Sequence, residues 1–324
     1  MKLYITSAYP FHPKDNFAVA WLKESAENDP YKTHSITNSI DDADIVLFAE
    51  HHPPSDPYFF KVLKHPILKK HKKKTLIYHD NPYPIAILPT LSPSIEKSFY
   101  NVKNCISAPY IARHVENESV TFSAEEKDKK YLFSFLGASR THAVRKEVLK
   151  LNHPDAFLKD TSDKDLWLLS PEEKRKFENQ FVDVSKESHF VLCPRGVGVN
   201  SYRLFEVMQM GLVPVIISDE WVPSSGPDWE SFSIRVPENE VHTIPELLAK
   251  KKQNSFSMGM IARKNWEQWF AKDVCFHHIA NLSKELMEKK SNNRLWRFKY
   301  AYSQFLRPFH FRNLLRFYKR KIIK

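Results

Sequence analysis

Arg195, Gly196, Gly198, Ser201, Arg203 and Glu206 fall within twelve consecutive residues of this 324-residue chain. Guanidinium groups stay protonated at physiological pH and match phosphate oxygens two at a time. Glycine has no Cβ, so backbone N–H groups beside it can come close to an anion. A helix starting just beyond adds about half a positive charge at the same place. A carboxylate three residues past an arginine stands one turn deeper on the same helical face, able to accept hydrogen bonds from a ribose diol. These types in this order point to a pocket for the pyrophosphate and ribose of a nucleotide. Each part has a plainer explanation: Gly-x-Gly alone is weak, and Arg-x-x-Glu on a helix is most often a surface ion pair. Ser201 is an ordinary N-cap candidate, with Leu204 where a capping box would need Glu or Gln. The combination favours the pocket.

The elements that must position these residues can be read around them. Within HFVLCPRGVGVNSYRLFEVMQMGLVPVIISDEW, residues 189–221, an apolar strand over 190–193 runs into a glycine loop. A helix follows from about 201 to 210, then a stop at Gly211 and a second apolar strand over 213–218. Upstream the same order recurs: a strand over 131–136, a turn carrying Gly137 and Arg140, and a helix over 141–151. Gly137 and Arg140 are therefore candidates for a second wall of the pocket, with Arg145 in reach from the helix. Solvent-facing arginines are the alternative.

The stretch from Arg195 through GLVPVIISDEW and PDWESFSIRVPE (227–238) resembles the signature of exostosin-type glycosyltransferases, glycosyltransferase family 47. Weaker similarity extends to ADIVLFAEHH (43–52), KKTLIYHDNPYPIAILPTLSPSI (73–95) and YLFSFLGASRTHAVRKEVL (131–149). The resemblance covers residues 1 to about 270. It implies an α/β chain of glycosyltransferase-B type, with two Rossmann-like domains facing a cleft and a nucleotide-sugar donor, a UDP-sugar, held by the second. It also implies inversion at the anomeric carbon, needs no metal cofactor, and suggests that part of the helical stretch 257–289 crosses back onto the first domain. The expected divisions are an acceptor-side domain over 1–125, a donor domain over 126–270, and a helical segment with a basic tail over 271–324.

Inverting sugar transfer needs a base near the acceptor hydroxyl, and in open α/β sheets such groups gather beyond the carboxyl ends of the strands. An apolar strand over 43–50 ends at His51-His52, and another over 75–78 ends at His79-Asp80. Asp80 is the first candidate, His52 the second and His51 the third. An Asx turn leading into Asn81-Pro82 is the alternative for Asp80. The lysine-rich run 69–74 reads as a solvated turn.

Three cysteines far apart, with no C-x-x-C, give no disulfide framework and suit a reducing compartment. The first residues hold too short an apolar run for a signal peptide, and no window offers 18 apolar residues, so a cytoplasmic location is expected. Charge separates the body from the end of the chain. Residues 289–324 carry twelve Lys/Arg and no Asp/Glu, leaving 37 basic residues against 38 acidic ones elsewhere. That segment is also rich in aromatic residues at helical spacing, interrupted by Pro308. An anionic membrane surface, packing on the body, and single-stranded nucleic acid all suit such a composition. The membrane is preferred over residues 290–324, because an enzyme acting on a lipid-linked acceptor would need it; nucleic acid is not expected. A non-catalytic subunit that binds nucleotide or glycan for a partner is the rival to an enzyme acting on a glycan or lipid-linked glycan acceptor.

Overall fold

Apolar runs without alternation belong in parallel sheets covered on both faces, and the chain forms two of them. The computed structural model describes residues 1–9, 17–51, 56–111, 117–163 and 169–322. The first lobe contains β1 (Lys2–Thr6), α1 (Ala18–Asn28), β2 (Ser35–Ile36), β3 (Ile45–Glu50), α2 (Phe60–Lys64) and α3 (Pro66–His71). It continues with β4 (Thr75–His79), β5 (Thr90–Ser92) and β6 (Cys105–Ser107). The strands pair in parallel in the order β2-β1-β3-β4-β5-β6. Every residue of β3 and β4 is buried.

Residues 121–130 have no regular structure and lead into the second lobe. Here β7 (Tyr131–Gly137), α4 (Ala143–Leu149), β8 (Ala156–Asp160), α5 (Pro171–Lys186), β9 (Ser188–Pro194) and α6 (Tyr202–Gln209) follow one another. Then come β10 (Val213–Ile217), α7 (Trp229–Phe232), β11 (Ile234–Arg235), α8 (Ile244–Lys251) and α9 (Ser255–Trp269). This parallel sheet has the order β11-β10-β9-β7-β8. Gly211 closes α6 at φ +73°, a conformation that favours glycine.

The expected single helix over 257–289 is broken. Phe270 is buried against Phe205 and Trp229, and Ala271 is extended, so the chain turns there before α10 (Lys272–Lys289). α10 returns to the first lobe, where Cys275, Phe276, Ile279 and Leu286 share a core with Leu3, Leu22, Leu47 and Leu76. Two parallel-sheet lobes joined by a returning helix make the glycosyltransferase-B architecture. The run 69–74 is helical rather than a turn, because Pro66 sits at the start of α3 and the His65 ring accepts from Ile67 N. α11 (Arg294–Ser303) and α12 (Pro308–Ile322) break at Pro308, as the sequence predicts.

Candidate functional site

The carboxyl ends of β7 and β9 meet at one side chain. Arg145, on the first turn of α4, donates from Nε to Arg195 O (2.9 Å), from Nη2 to Pro194 O (3.2 Å) and from Nη1 to Ala138 O (3.3 Å). Two glycines make room for it. A Cβ at Gly196 would lie 3.1 Å from Arg145 Nη2, and one at Gly137 would lie 3.4 Å from Nη1 and closer still to the Phe135 ring. Burial, followed by the nearby charge of Arg203, lowers the Arg145 pKa to about 10. Even so it stays cationic at neutral pH.

Arg195 follows directly on β9, its N–H donating to Ile217 O at the end of β10 (3.0 Å). Its residue exposure is 9%, and its Nε is buried with no hydrogen-bond partner among the described residues. Nη1 lies 3.7 Å from Glu238 Oε1, and that same oxygen accepts from Asp219 N (3.2 Å). Glu238 N in turn donates to Asp219 Oδ1 (3.1 Å). His142 lies 4.0 Å from Glu238, and burial, then the charge of Arg195, lowers its pKa.

Other predicted residues take different places. Arg203 lies over the Phe181 ring, Cζ 3.5 Å from its centroid, and reaches Glu206 at 3.8 Å. Glu206 is buried, which sets this pair apart from the surface ion pair that Arg-x-x-Glu usually makes. Ser201 occupies the N-cap position of α6 without a side-chain cap bond; its own N–H donates to Asn200 Oδ1 (2.7 Å). Arg140 turns outward and donates to Ser162 O (2.8 Å), away from the β7–β9 junction, whereas Arg145 occupies it.

The opposite wall comes from the first lobe and is close. A Cβ at Gly198 would stand 3.1 Å from the backbone of Pro82. Asn200 Nδ2 donates to Pro93 O (3.0 Å), and the rings of Tyr110 and Tyr202 face each other at 4.2 Å. Asp80, two residues before Pro82, holds His51 Nδ1 at 2.7 Å. Burial alone would lower the His51 pKa, but the hydrogen bond and charge of Asp80 together outweigh it and raise the pKa. The turn that follows belongs to Asn81, whose Oδ1 accepts from Tyr83 N (3.0 Å). His52 lies outside the described residues. Glu50, also at a strand end, is fully buried, accepting from Ser7 Oγ (2.6 Å) and Ala8 N (2.7 Å).

Clustered guanidinium groups lower one another's pKa and are stabilised by an anion placed among them. A carboxylate and imidazole in short contact can take up a proton from a hydroxyl. The arrangement therefore offers anion binding on one wall and a base on the other. The profile of the Exostosin GT47 domain matches residues 60–251, a span that carries Asp80, Arg145, Arg195, Arg203 and Glu206. The chain belongs to the exostosin GT47 family. It is 32% identical over 137 residues to an Exostosin-1 homolog of Caenorhabditis elegans, covering 38% of this chain and 36% of that protein. Ribitol-5-phosphate xylosyltransferase 1 of Danio rerio is 29% identical over 106 residues, 32% of this chain and 24% of that protein. The chain thus spans about a third or less of these relatives. Among solved structures, Anabaena Alr3699/HepE in complex with UDP aligns with 86% of this chain and 98% of its own, at TM-score 0.39 and 9% identity. MurG of Acinetobacter baumannii aligns with 88% and 99%, at TM-score 0.38 and 9% identity.

In this GT47 chain, sequence reasoning did not single out Glu238 and His142. Glu238 closes the very segment that carries the family signature, so a signal for it was present. His142 had none: only the fold brings α4 beside the loop after β11.

Proposed function

We propose that this GT47 chain is an inverting glycosyltransferase that moves a sugar from a nucleotide-sugar donor, a UDP-sugar, to a glycan or lipid-linked glycan in surface polysaccharide synthesis. The observation that carries the reading is the buried Arg195, with one nitrogen lacking a partner among the described residues, braced by Arg145 at the carboxyl ends of two parallel strands. As the bond to the donor sugar breaks, negative charge grows on the leaving diphosphate, and positive groups fixed there beforehand lower the barrier. Arg195 serves that charge, Arg145 holds the loop that carries it, and Glu206 binds ribose beside Arg203. These guanidinium groups supply the compensating charge without a divalent metal. Asp80, oriented by His51, takes the acceptor proton from the opposite wall. In this reading the protein works at the cytoplasmic face of a membrane, attached peripherally through residues 290–324.

The test is direct. UDP raises the melting temperature of the native protein, because a ligand that binds only the folded state stabilises it. Arg195→Ala abolishes that shift and slows sugar transfer by roughly 10²–10³, the scale for losing one preorganised donor at an oxyanion. An unchanged shift in Arg195→Ala overturns the assignment of this site. A shift with no turnover of any sugar nucleotide makes the chain a nucleotide-binding subunit instead.

A further inference from the structure

The structure describes eleven exposed large apolar side chains, and seven of them lie between residues 295 and 318. This concentration is not a disordered end. α11 and α12 are anchored through one face: Ala301, Gln304, Phe305 and His310 are all at least nine-tenths buried. Phe305 and Phe317 pack around Tyr58 and Phe60 of the first lobe. Tyr300 donates to Phe99 O, and Arg307 pairs with Glu96 while its guanidinium lies over Phe99. Phe309 rests on Tyr83, with ring centroids 4.0 Å apart, three residues from Asp80.

The opposite face is apolar as well. Leu295, Phe298 and Tyr302 recur at helical steps on α11, and Phe311, Leu315 and Tyr318 do so on α12, each between about one-half and two-thirds exposed. Lys299, Arg312, Arg316 and Lys319 are exposed among them. Protein cores do not supply cations at such density, and an aqueous surface does not supply apolar rows. A bilayer with anionic head groups supplies partners for both.

We propose that the outer faces of α11 and α12 lie on an anionic bilayer, and that the Tyr83–Phe309 contact sets the Asp80 loop at its surface. The acceptor is then a sugar on a lipid, taken from the plane of the membrane. The second step rests on the sugar-transfer reading; the first does not. The occupant is a membrane rather than nucleic acid, because the exposed rings share their faces with aliphatic leucines, which stack on no base.

The full chain should sediment with vesicles of phosphatidylcholine containing phosphatidylglycerol and remain in solution with phosphatidylcholine alone. Arg312→Ser with Lys319→Ser should weaken that binding about thirtyfold, and Phe298→Ser with Leu315→Ser should lower it further, with an unchanged melting temperature. All four side chains are exposed, so folding is not at stake as it would be on deleting helices that cover Tyr58 and Phe60. The native cysteines are buried, so a fluorophore on Leu306→Cys, at an exposed residue of the turn between α11 and α12, reports position: lipids with nitroxide acyl chains should quench it and leave one on Ile261→Cys, at an exposed residue of α9, bright. Equal binding to neutral vesicles, binding unaltered in the variants, preference for single-stranded DNA over vesicles, or self-association that accounts for the sedimentation overturns the proposal. With labelled UDP-sugars and lipid-extract vesicles, product soluble in chloroform and methanol is expected, and label confined to water-soluble glycan overturns the acceptor step. Failure of every donor to turn over, with vesicle binding intact, would instead remove the sugar-transfer reading.

Discussion

At the level of single residues, the Asp80–His51 pair has a definite pH signature. His51 titrates higher in the folded protein than the value of about 6.5 expected of an unfolded chain. A group with a raised folded pKa contributes stability that is fully present below the unfolded value and is lost as pH rises through the folded one. The melting temperature of His51→Gln should therefore fall furthest below that of the parent protein near pH 6, with the gap narrowing by pH 9. A gap that stays constant over this range would mean that Asp80 does not raise the His51 pKa. The same residue pair also shows what a one-dimensional reading can reach. Strand ends placed Asp80 and His51 where chemistry gathers, but their 2.7 Å contact spans 29 positions and depends on β3 and β4 being neighbours.

Among elements, close packing governs more than propensity. A Cβ built on Gly259 of α9 would lie 2.2 Å from Gly211 O, so α9 reaches the turn after α6 only because that position has no side chain. Gly259→Ala would ordinarily favour a helix by about 1 kcal/mol; here it should destabilise instead and weaken UDP binding, since α6 carries Arg203 and Glu206. A rise in melting temperature would refute the close approach. Strands with unbroken apolar runs, β3, β4, β7, β9 and β10, were legible from sequence because burial on both faces leaves no polar alternation to confuse them. β5 and β6, three residues each, and the edge strand β8 were not, since short or half-exposed segments carry little periodicity. α5 was passed over despite its complete Ser170–Glu173 capping box. In the site, types and spacing identified the Arg195 loop, whereas the choice of Arg145 over Arg140 as its neighbour depended on tertiary contacts that spacing does not encode. Arg140 faces Ser162 simply because the 3-10 turn over Ser139–Thr141 rotates it outward.

Across the whole molecule, the burial of His310 predicts that attachment of the last two helices weakens with acidity. His310 is 2% exposed, neither ring nitrogen has a hydrogen-bond partner among the described residues, and burial together with the nearby Arg307 lowers its pKa to about 4. Its folded pKa is depressed, so the unfolded chain binds the proton more readily; stability is intact above about pH 6.5 and declines as pH falls toward 4. Protection factors of the α11 and α12 amides, corrected for the slower intrinsic exchange at lower pH, should fall between pH 7 and pH 5 before those of either sheet do, and His310→Phe should suppress that effect. Equal protection of these helices at both pH values would count against it.

The return of α10 to the first lobe carries a consequence for how the protein is made. Residues 1–111 leave the ribosome before α10 does, yet the apolar face between Leu22 and Leu76 closes only when Cys275, Phe276 and Ile279 arrive. The lobe encoded in the middle is continuous and can complete its sheet while its predecessor still waits, so synthesis order and maturation order are reversed, and the earlier half is the one that needs shelter from aggregation during translation.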